Sequence, residues 1–351
     1  MPSRRPLNDW LIAMRKKKQR TYIGGQAVIQ GVMMRGKSGM ATVVRDDNGE
    51  LQMEAKRIRK PAKERKWLRF PFVRGVVSFV SSLVLGMRSL LRSSEVAVAE
   101  DEEPSKLTKW MAEHWKISVG EIVTTVSTVL GVVIAVALFL FLPNYFTALI
   151  SEAAPAVHTG SIWFYLIEGA FRFVIFLGYI LFTLIFRSMR ETYEYHGAEH
   201  KTINCYEYGD ELTPENVKKA SRLHDRCGTT FIFIVLVISI FVFALVGWAL
   251  SLTGLTGIRA VDFLINFIVK LAMLPVVAGI SYEILKLLSL TDSVLVLPLK
   301  APGYLLQMLT TREPDERQIE CAILAFRKAK EMDEDPDSPE KTFATECKLS
   351  G

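Results

Sequence analysis

Four long apolar runs constrain this chain more than anything else in it. They cover residues 122–142, 162–186, 229–252 and about 261–288. A helix needs about 20 mostly apolar residues to cross a bilayer. No charge falls between Glu121 and Glu152, and the third run is almost pure Phe, Ile, Val and Leu. The fourth run is less apolar and contains Pro275. With 50% hydrophobic and 23% charged residues, the chain is excluded from the disordered class, and a purely soluble protein fits it poorly. The expected fold is mainly α, a polytopic membrane protein with about four transmembrane helices.

Charge sets the expected orientation. The net charge of +6 hides an asymmetry, because residues 1–92 hold 21 Lys and Arg against 6 Asp and Glu. Loop 143–161 has no Lys or Arg, whereas loop 187–228 contains Arg187, Arg190, Lys201, Lys218, Lys219, Arg222 and Arg226. Lys and Arg favour the cytoplasmic side. Both termini and the 187–228 loop are therefore expected in the cytoplasm. Residues 1–20 lack the apolar core of a cleavable signal peptide. Four cysteines over this length are no disulfide scaffold, and Cys205 and Cys227 are expected to be reduced.

The chain reads as a series of segments. Residues 1–20 form a basic tail and 21–66 a small β-rich cytoplasmic domain. Within it, alternating runs at 40–44 and 51–58 flank Asp46-Asp47-Asn48-Gly49, a hairpin signal, and 22–35 supplies a third strand. Residues 67–98 form an amphipathic or re-entrant helix, with Arg at both edges and many Ser. A linker spans 99–116, acidic over Glu100–Pro104, and the four-helix membrane domain spans 117–290. Interfacial and cytoplasmic helices at 291–330 precede an acidic tail, 331–351.

Chemistry concentrates in YHGAEHK, residues 195–201. It contains H-x-x-E-H, the inverted zincin pattern. On a helix running directly out of the second span, His196 and His200 share a face and can bind one metal. Glu199 beside them could activate a water. Gly197 weakens that helix by about 1 kcal/mol relative to Ala. His224 and Cys227 sit just before the third span and could complete a ligand set of three protein groups. Glu283, near the expected cytoplasmic end of the fourth span, is a candidate further ligand or general base. Glu168 and Arg172, four apart within the second span, form a candidate internal ion pair. The competing reading of the His and Tyr residues is an interfacial helix anchored at headgroup level. The Gly-rich stretch 24–36 lacks a phosphate-loop signature and reads as a tightly packed strand and turn.

Four segments carry a family resemblance: YIGGQAVIQGVMMRG, YHGAEHKTINCYE, LHDRCGTTF and GISYEILKL. Over about residues 22–310 the chain resembles the YqhQ-like family of bacterial membrane proteins, a domain of unknown function labelled a predicted metal-dependent enzyme. The family's H-G-A-E-H-K falls on His196 to Lys201, and its H-x-R-C-G-T on His224 and Arg226 to Thr229. Its glycine-rich motif falls on Gly24 to Arg35, and its S-Y-E segment on Ser281 to Glu283. Asp225 stands where the family commonly has Pro, which could loosen the turn or add a ligand oxygen. The resemblance implies the cytoplasmic membrane of a bacterial cell.

Two functions compete on these grounds. One is a membrane-embedded metal-dependent hydrolase. A divalent metal, Zn²⁺, would be held by His196, His200 and His224 or Cys227, and Glu199 or Glu283 would take a proton. Its substrate would be lipid-like or a membrane protein, and a homo-oligomer is compatible with it. The other is a scaffold or biogenesis factor whose basic N-terminal domain docks anionic lipid, a ribosome or an export partner.

Overall fold

The computed structural model describes residues 6–13, 15–58, 70, 73–97, 119–154, 156–158, 161–253, 258–291 and 294–343. The linker expected at 99–116, the basic stretch 59–66 and the end of the acidic tail lie outside the described residues. The chain divides into two units. One comprises Met1–Ala99, Ile180–Val235 and Ala278–Gly351, and the other Glu100–Tyr179 and Leu236–Val277.

The first unit is built on a four-stranded antiparallel meander: β1 (Gly24–Val28), β2 (Gly31–Arg35), β3 (Gly39–Arg45) and β4 (Leu51–Arg57). The β3–β4 hairpin turns through Asn48-Gly49, as its sequence predicts, pairing Arg45 with Leu51. The stretch 22–35 gives two strands where one was expected. Val28 pairs with Gly31, and Gln30 takes the left-handed conformation at φ 52°. Without an Asn-Gly or Gly-Gly pair at Ile29-Gln30, that turn carried no local signal.

Strand alternation sends side chains to two faces. Val32, Met34, Ala41 and Val43 join one core with Ala322, Ala325, Phe326, Ala329 and Met332 of α11 (Glu316–Glu334) and with Tyr195, Ala198 and Ile203 of α6 (Arg187–Glu207). Met33 and Val44 face the other way, with Leu85, Leu90 and Ala97 of α2 (Val73–Ala97). The start of α11 is fixed by a capping box. Asp315 Oδ1 accepts the Gln318 N–H at 2.8 Å, and Gln318 Oε1 accepts the Asp315 N–H at 2.9 Å.

Among the described residues, five helices are long and apolar enough to cross a membrane: Val73–Ala97, Thr125–Ala153, Ile162–Thr183, Gly228–Leu252 and Leu264–Leu290. The fold is a polytopic helical protein with a small β domain. The first of the five is the segment read as amphipathic or re-entrant. Its C-terminal half docks on the sheet, where the Ile29 N–H donates to Ser93 Oγ at 3.1 Å and Gln26 Nε2 donates to the Gly86 carbonyl at 3.3 Å. Pro275 does not end α9 (Arg259–Leu290). Nor does α6 run directly out of α5 (Ile162–Thr183). The chain breaks at Phe186 (ψ 131°), a break no Gly or Pro announces. Thr183 Oγ1 there donates to the Ile180 carbonyl at 2.7 Å and sits 2.7 Å from Tyr193 Oη.

In the second unit the first span outlasts its expected end at residue 142. α3 (Val119–Val136) passes through a π turn, Ala137–Phe141, into α4 (Leu142–Ala153). Pro143 cannot donate to the Phe139 carbonyl four residues back. Arg172 Nε does so at 3.0 Å. The same guanidinium donates to Glu168 at 2.8 Å, the expected i,i+4 pair, and Lys270 Nζ adds bonds of 2.6 and 2.8 Å to that carboxylate. One buried carboxylate thus holds two buried cations. Removing one member of such a group leaves uncompensated buried charge and costs about 3–5 kcal/mol. Glu168→Ala is expected to lower unfolding stability in detergent by that order, and an unchanged denaturation midpoint would refute the arrangement.

Candidate functional site

The site forms where α6 meets the loop that leads into α8 (Gly228–Leu252), within the first unit. The face of α6 is polar. His200, Lys201 and Asn204 are all buried and all reach main-chain carbonyls of that loop. His200 Nδ1 lies 2.5 Å from the Arg222 carbonyl. Lys201 Nζ donates to the Lys218 and Ala220 carbonyls at 3.1 and 2.9 Å. Asn204 Nδ2 donates to those of Ser221 and Leu223, both at 2.8 Å. These contacts swing the loop back so that Cys227 stands over His196.

His196, His200 and Cys227 each offer one ligand atom, and the three atoms lie within 4.8 Å of one another. Cys227 Sγ is 3.3 Å from His196 Nε2. The two imidazole centroids are 4.4 Å apart. His196 Nδ1 sits 2.9 Å from the Thr310 carbonyl at the end of α10 (Leu297–Thr310). A backbone carbonyl on Nδ1 fixes the tautomer and presents Nε2 inward, the outer-shell arrangement typical of metal-binding histidines. Zinc–sulfur and zinc–nitrogen bonds of about 2.3 and 2.0 Å in a tetrahedron place S and N about 3.5 Å apart. The donor set and its spacing fit such an ion.

Without a metal, electrostatics favour a thiolate at Cys227, its ligand form, beside a protonated His196 that a metal would have to deprotonate. Burial alone would raise the Cys227 thiol, but His200 and His196 outweigh it and hold it well below its ordinary value. Cys227 also sits at the mouth of α8, where Sγ accepts the Thr229 N–H at 3.3 Å. A helix N-terminus favours a thiolate. Burial tends to lower His196, yet the facing Cys227, with Glu199, lifts it to about 9. Glu199 lies one residue from His200 and is 5% exposed. Burial raises its pKa despite the two histidines, and it accepts the Gly25 backbone N–H. A side chain at Gly25 would collide with Glu199, which gives the Gly-rich stretch a packing role at the site. Gly197 similarly lets the Arg312 main chain lie against α6.

His224, Glu283 and Asp225 stand differently. The His224 ring is 5.6 Å from that of His200, but its Nε2 points to Glu207 Oε2 at 3.8 Å, beyond hydrogen-bond length. It belongs to the surrounding shell rather than to the three-atom group. Glu283 is engaged by Arg74, with bonds of 2.8 and 2.5 Å, and is not one of the grouped ligands. Asp225 is held by Lys17 at 3.0 Å, Lys300 at 2.9 Å and the Tyr304 hydroxyl, which answers the question its sequence position raised. Its carboxylate braces the loop and is pulled below the ordinary range by those cations against the cost of burial. Arg15 and Lys17 of the basic tail are likewise committed internally, Arg15 to Asp210 at 2.6 Å and Lys17 to Glu207 at 3.0 Å.

Four residues that the sequence reading did not single out support the group. Glu207 gathers Lys17 and Arg226, the latter at 2.5 Å, beneath His224. Arg222 joins Asp9 at 2.9 Å to the Thr311 carbonyl at 2.8 Å. Gln307 of α10 grips both sides of His224, accepting its N–H and donating to its carbonyl, each at 2.8 Å. Asn204 is the fourth. Asn204 and Glu207 extend the stripe of His196 and His200 by four and seven residues beyond His200, so following one helical face would have found them. Gln307 and Arg222 had no such signal.

The fold and this cluster together define a polytopic helical membrane protein with a buried His/His/Cys group at the head of a span-length helix. Residues 70–332 match the family described as "Protein of unknown function (DUF1385)", and the chain belongs to that family. It is 33% identical over 321 residues to "Uncharacterized protein YqhQ" of Bacillus subtilis (strain 168), covering 89% of this chain and 93% of that relative. No solved structure matches the chain.

The His224 environment generates a pH prediction. Burial, with Lys17 and Arg226 nearby, drives its pKa down to about 4, only partly opposed by Glu207. A depressed folded-state value means stability is fully present above the unfolded value of about 6.5 and is lost as pH falls toward 4. The loss should approach about 3 kcal/mol. His224→Gln should flatten the melting temperature between pH 6.5 and 4, and an equally steep fall in that variant would refute the assignment.

Proposed function

We propose that this protein is a membrane-embedded, metal-dependent enzyme of hydrolytic type, with His196, His200 and Cys227 as the metal ligands. The observation that carries this reading is the convergence of three ligand atoms within 4.8 Å, with both imidazole Nδ1 atoms already tied to main-chain carbonyls. Two His and one Cys leave a fourth tetrahedral position open, as catalytic zinc sites do, and zinc there would supply Lewis acidity. The chain's own residues supply the rest. Glu199, buried one residue from His200 and with its pKa raised by burial, is placed to take a proton and return it. Gly25 holds that carboxyl by its N–H. His224 and Glu207 form the supporting shell.

The site lies in sequence between an apolar span ending at Thr183 and one beginning at Gly228. The Lys and Arg of the 187–228 stretch support a cytoplasmic location for it, and with it cytoplasmic termini. A substrate that is lipid-like or part of a membrane protein follows from that position. A second reading rests on the 3.3 Å separation of Cys227 Sγ and His196 Nε2. Without metal, that pair is an activated thiolate beside an imidazolium, the composition of a cysteine nucleophile.

Metal content separates the two. Protein purified without a metal-affinity tag should carry about one zinc per chain by elemental mass spectrometry, in keeping with a single three-ligand site. His200→Ala and Cys227→Ser should carry none, while Glu199→Gln should keep its metal. Metal-free wild type with a Cys227 thiolate that persists below pH 7, and that is lost in His196→Gln, would replace the metal reading with the nucleophile reading.

A further inference from the structure

A cleft of about 520 Å³ lies between the C-terminal half of α2 and the sheet, and none of the His/Cys residues lines it. It is strongly cationic: Arg35, Lys56, Arg57, Arg88 and Arg92 face the single carboxylate of Glu54. Glu54 is already neutralised by Lys56 at 2.6 Å and Arg92 at 3.3 Å. Arg57 is committed to the Met332, Asp335 and Ser338 carbonyls. Arg35 and Arg88 have no carboxylate partner among the described residues.

A second observation points into the same cleft. Ser89 is 4% exposed, and its hydroxyl has no hydrogen-bond partner among the described residues. Its helix neighbours Ser93 and Ser94 instead donate to the Leu90 and Leu91 carbonyls. An unpaired buried hydroxyl is costly, so this position favours a bound group that can accept from it. The remaining wall is apolar, with Val80 and Val84 50% and 45% exposed, on a helix that has the composition of a membrane span.

We propose that this cleft binds one anionic phospholipid. Its phosphate lies between Arg35 and Arg88 and accepts the Ser89 hydroxyl, and its acyl chains run along Val80 and Val84. The exposed valines favour a lipid over a free phosphate. Among the described residues that line the cleft no carboxylate is unpaired, which disfavours a zwitterionic headgroup, whose cation would have no counter-ion. The site is independent of the His/Cys group and of any activity there.

The test is calorimetric titration of the full chain in detergent with dihexanoyl phosphatidylglycerol and with dihexanoyl phosphatidylcholine. Phosphatidylglycerol should bind at one per chain, at least tenfold more tightly than phosphatidylcholine. The double variant Arg35→Gln/Arg88→Gln should weaken it by tenfold or more. Neither arginine has an ion pair to lose among the described residues, so the thermal midpoint should hold. Ser89→Ala should weaken binding about tenfold, the effect of losing one charge-assisted hydrogen bond. Val84→Asp, on the exposed edge, should weaken it too, and these two variants carry the test if the double variant does not fold. Equal affinity for both lipids, or unchanged binding in the folded variants, would overturn the proposal. Displacement of the lipid by an equal concentration of inorganic phosphate would overturn it as well.

Discussion

One helix gripping a loop by its main chain holds the site together. The donors on α6 are side chains of His200, Lys201 and Asn204, and the acceptors are peptide carbonyls from Lys218 to Leu223. A carbonyl cannot rotate away from its backbone, so these bonds fix the loop as a unit. Each donor is buried, so a broken bond would leave a polar group stranded at full desolvation cost. Gln307 closes the opposite side of the loop by bonding the His224 peptide at both ends. Cys227 is thereby delivered to His196, where its Sγ lies 3.3 Å from Nε2 and also accepts the Thr229 N–H at the α8 terminus.

The charges around the group divide into two layers. Close in, a thiol held low and an imidazole held high stabilise one another. Further out, Glu207 and Asp225 collect Lys17, Arg226 and Lys300. Glu207 is held at about 2, because His224, Lys17 and Arg226 outweigh its burial. The outer carboxylates thus remain charged at any physiological pH and tie the N-terminal segment to the loop. This explains why part of a strongly basic tail is turned inward.

Periodicity and composition made four of the five span-length helices among the described residues, the β3–β4 hairpin and the His196/His200 face legible in the sequence, whereas Val73–Ala97 read as amphipathic or re-entrant. Each is a local pattern with a fixed period. What the sequence did not disclose depends on partners far along the chain. Glu283 had the right chemistry, but Arg74, 209 residues away, engages it. His224 was near in sequence to Cys227, yet Gln307 and Glu207 turn it outward. The first apolar run was expected to end at residue 142, but the helix continues through Pro143, and Arg172, arriving from another helix, donates to the Phe139 carbonyl that Pro143 cannot reach. The break at Phe186 has no residue signature at all. The Gly-rich stretch was read correctly as close packing, but that Glu199 is its neighbour could not be known without the fold.

The sheet has a further consequence, in the order of synthesis. Val32, Met34 and Val43 bury one face of strands completed by residue 57 against α11, which begins at Glu316. A ribosome adding roughly 5–20 residues per second needs on the order of 10–50 s to make the intervening chain. During that interval the apolar spans emerge and must enter the membrane, while the β domain waits with half of its core uncovered. The nascent chain therefore exposes an incomplete sheet on one side and inserting helices on the other. That face stays open until α11 arrives to close it.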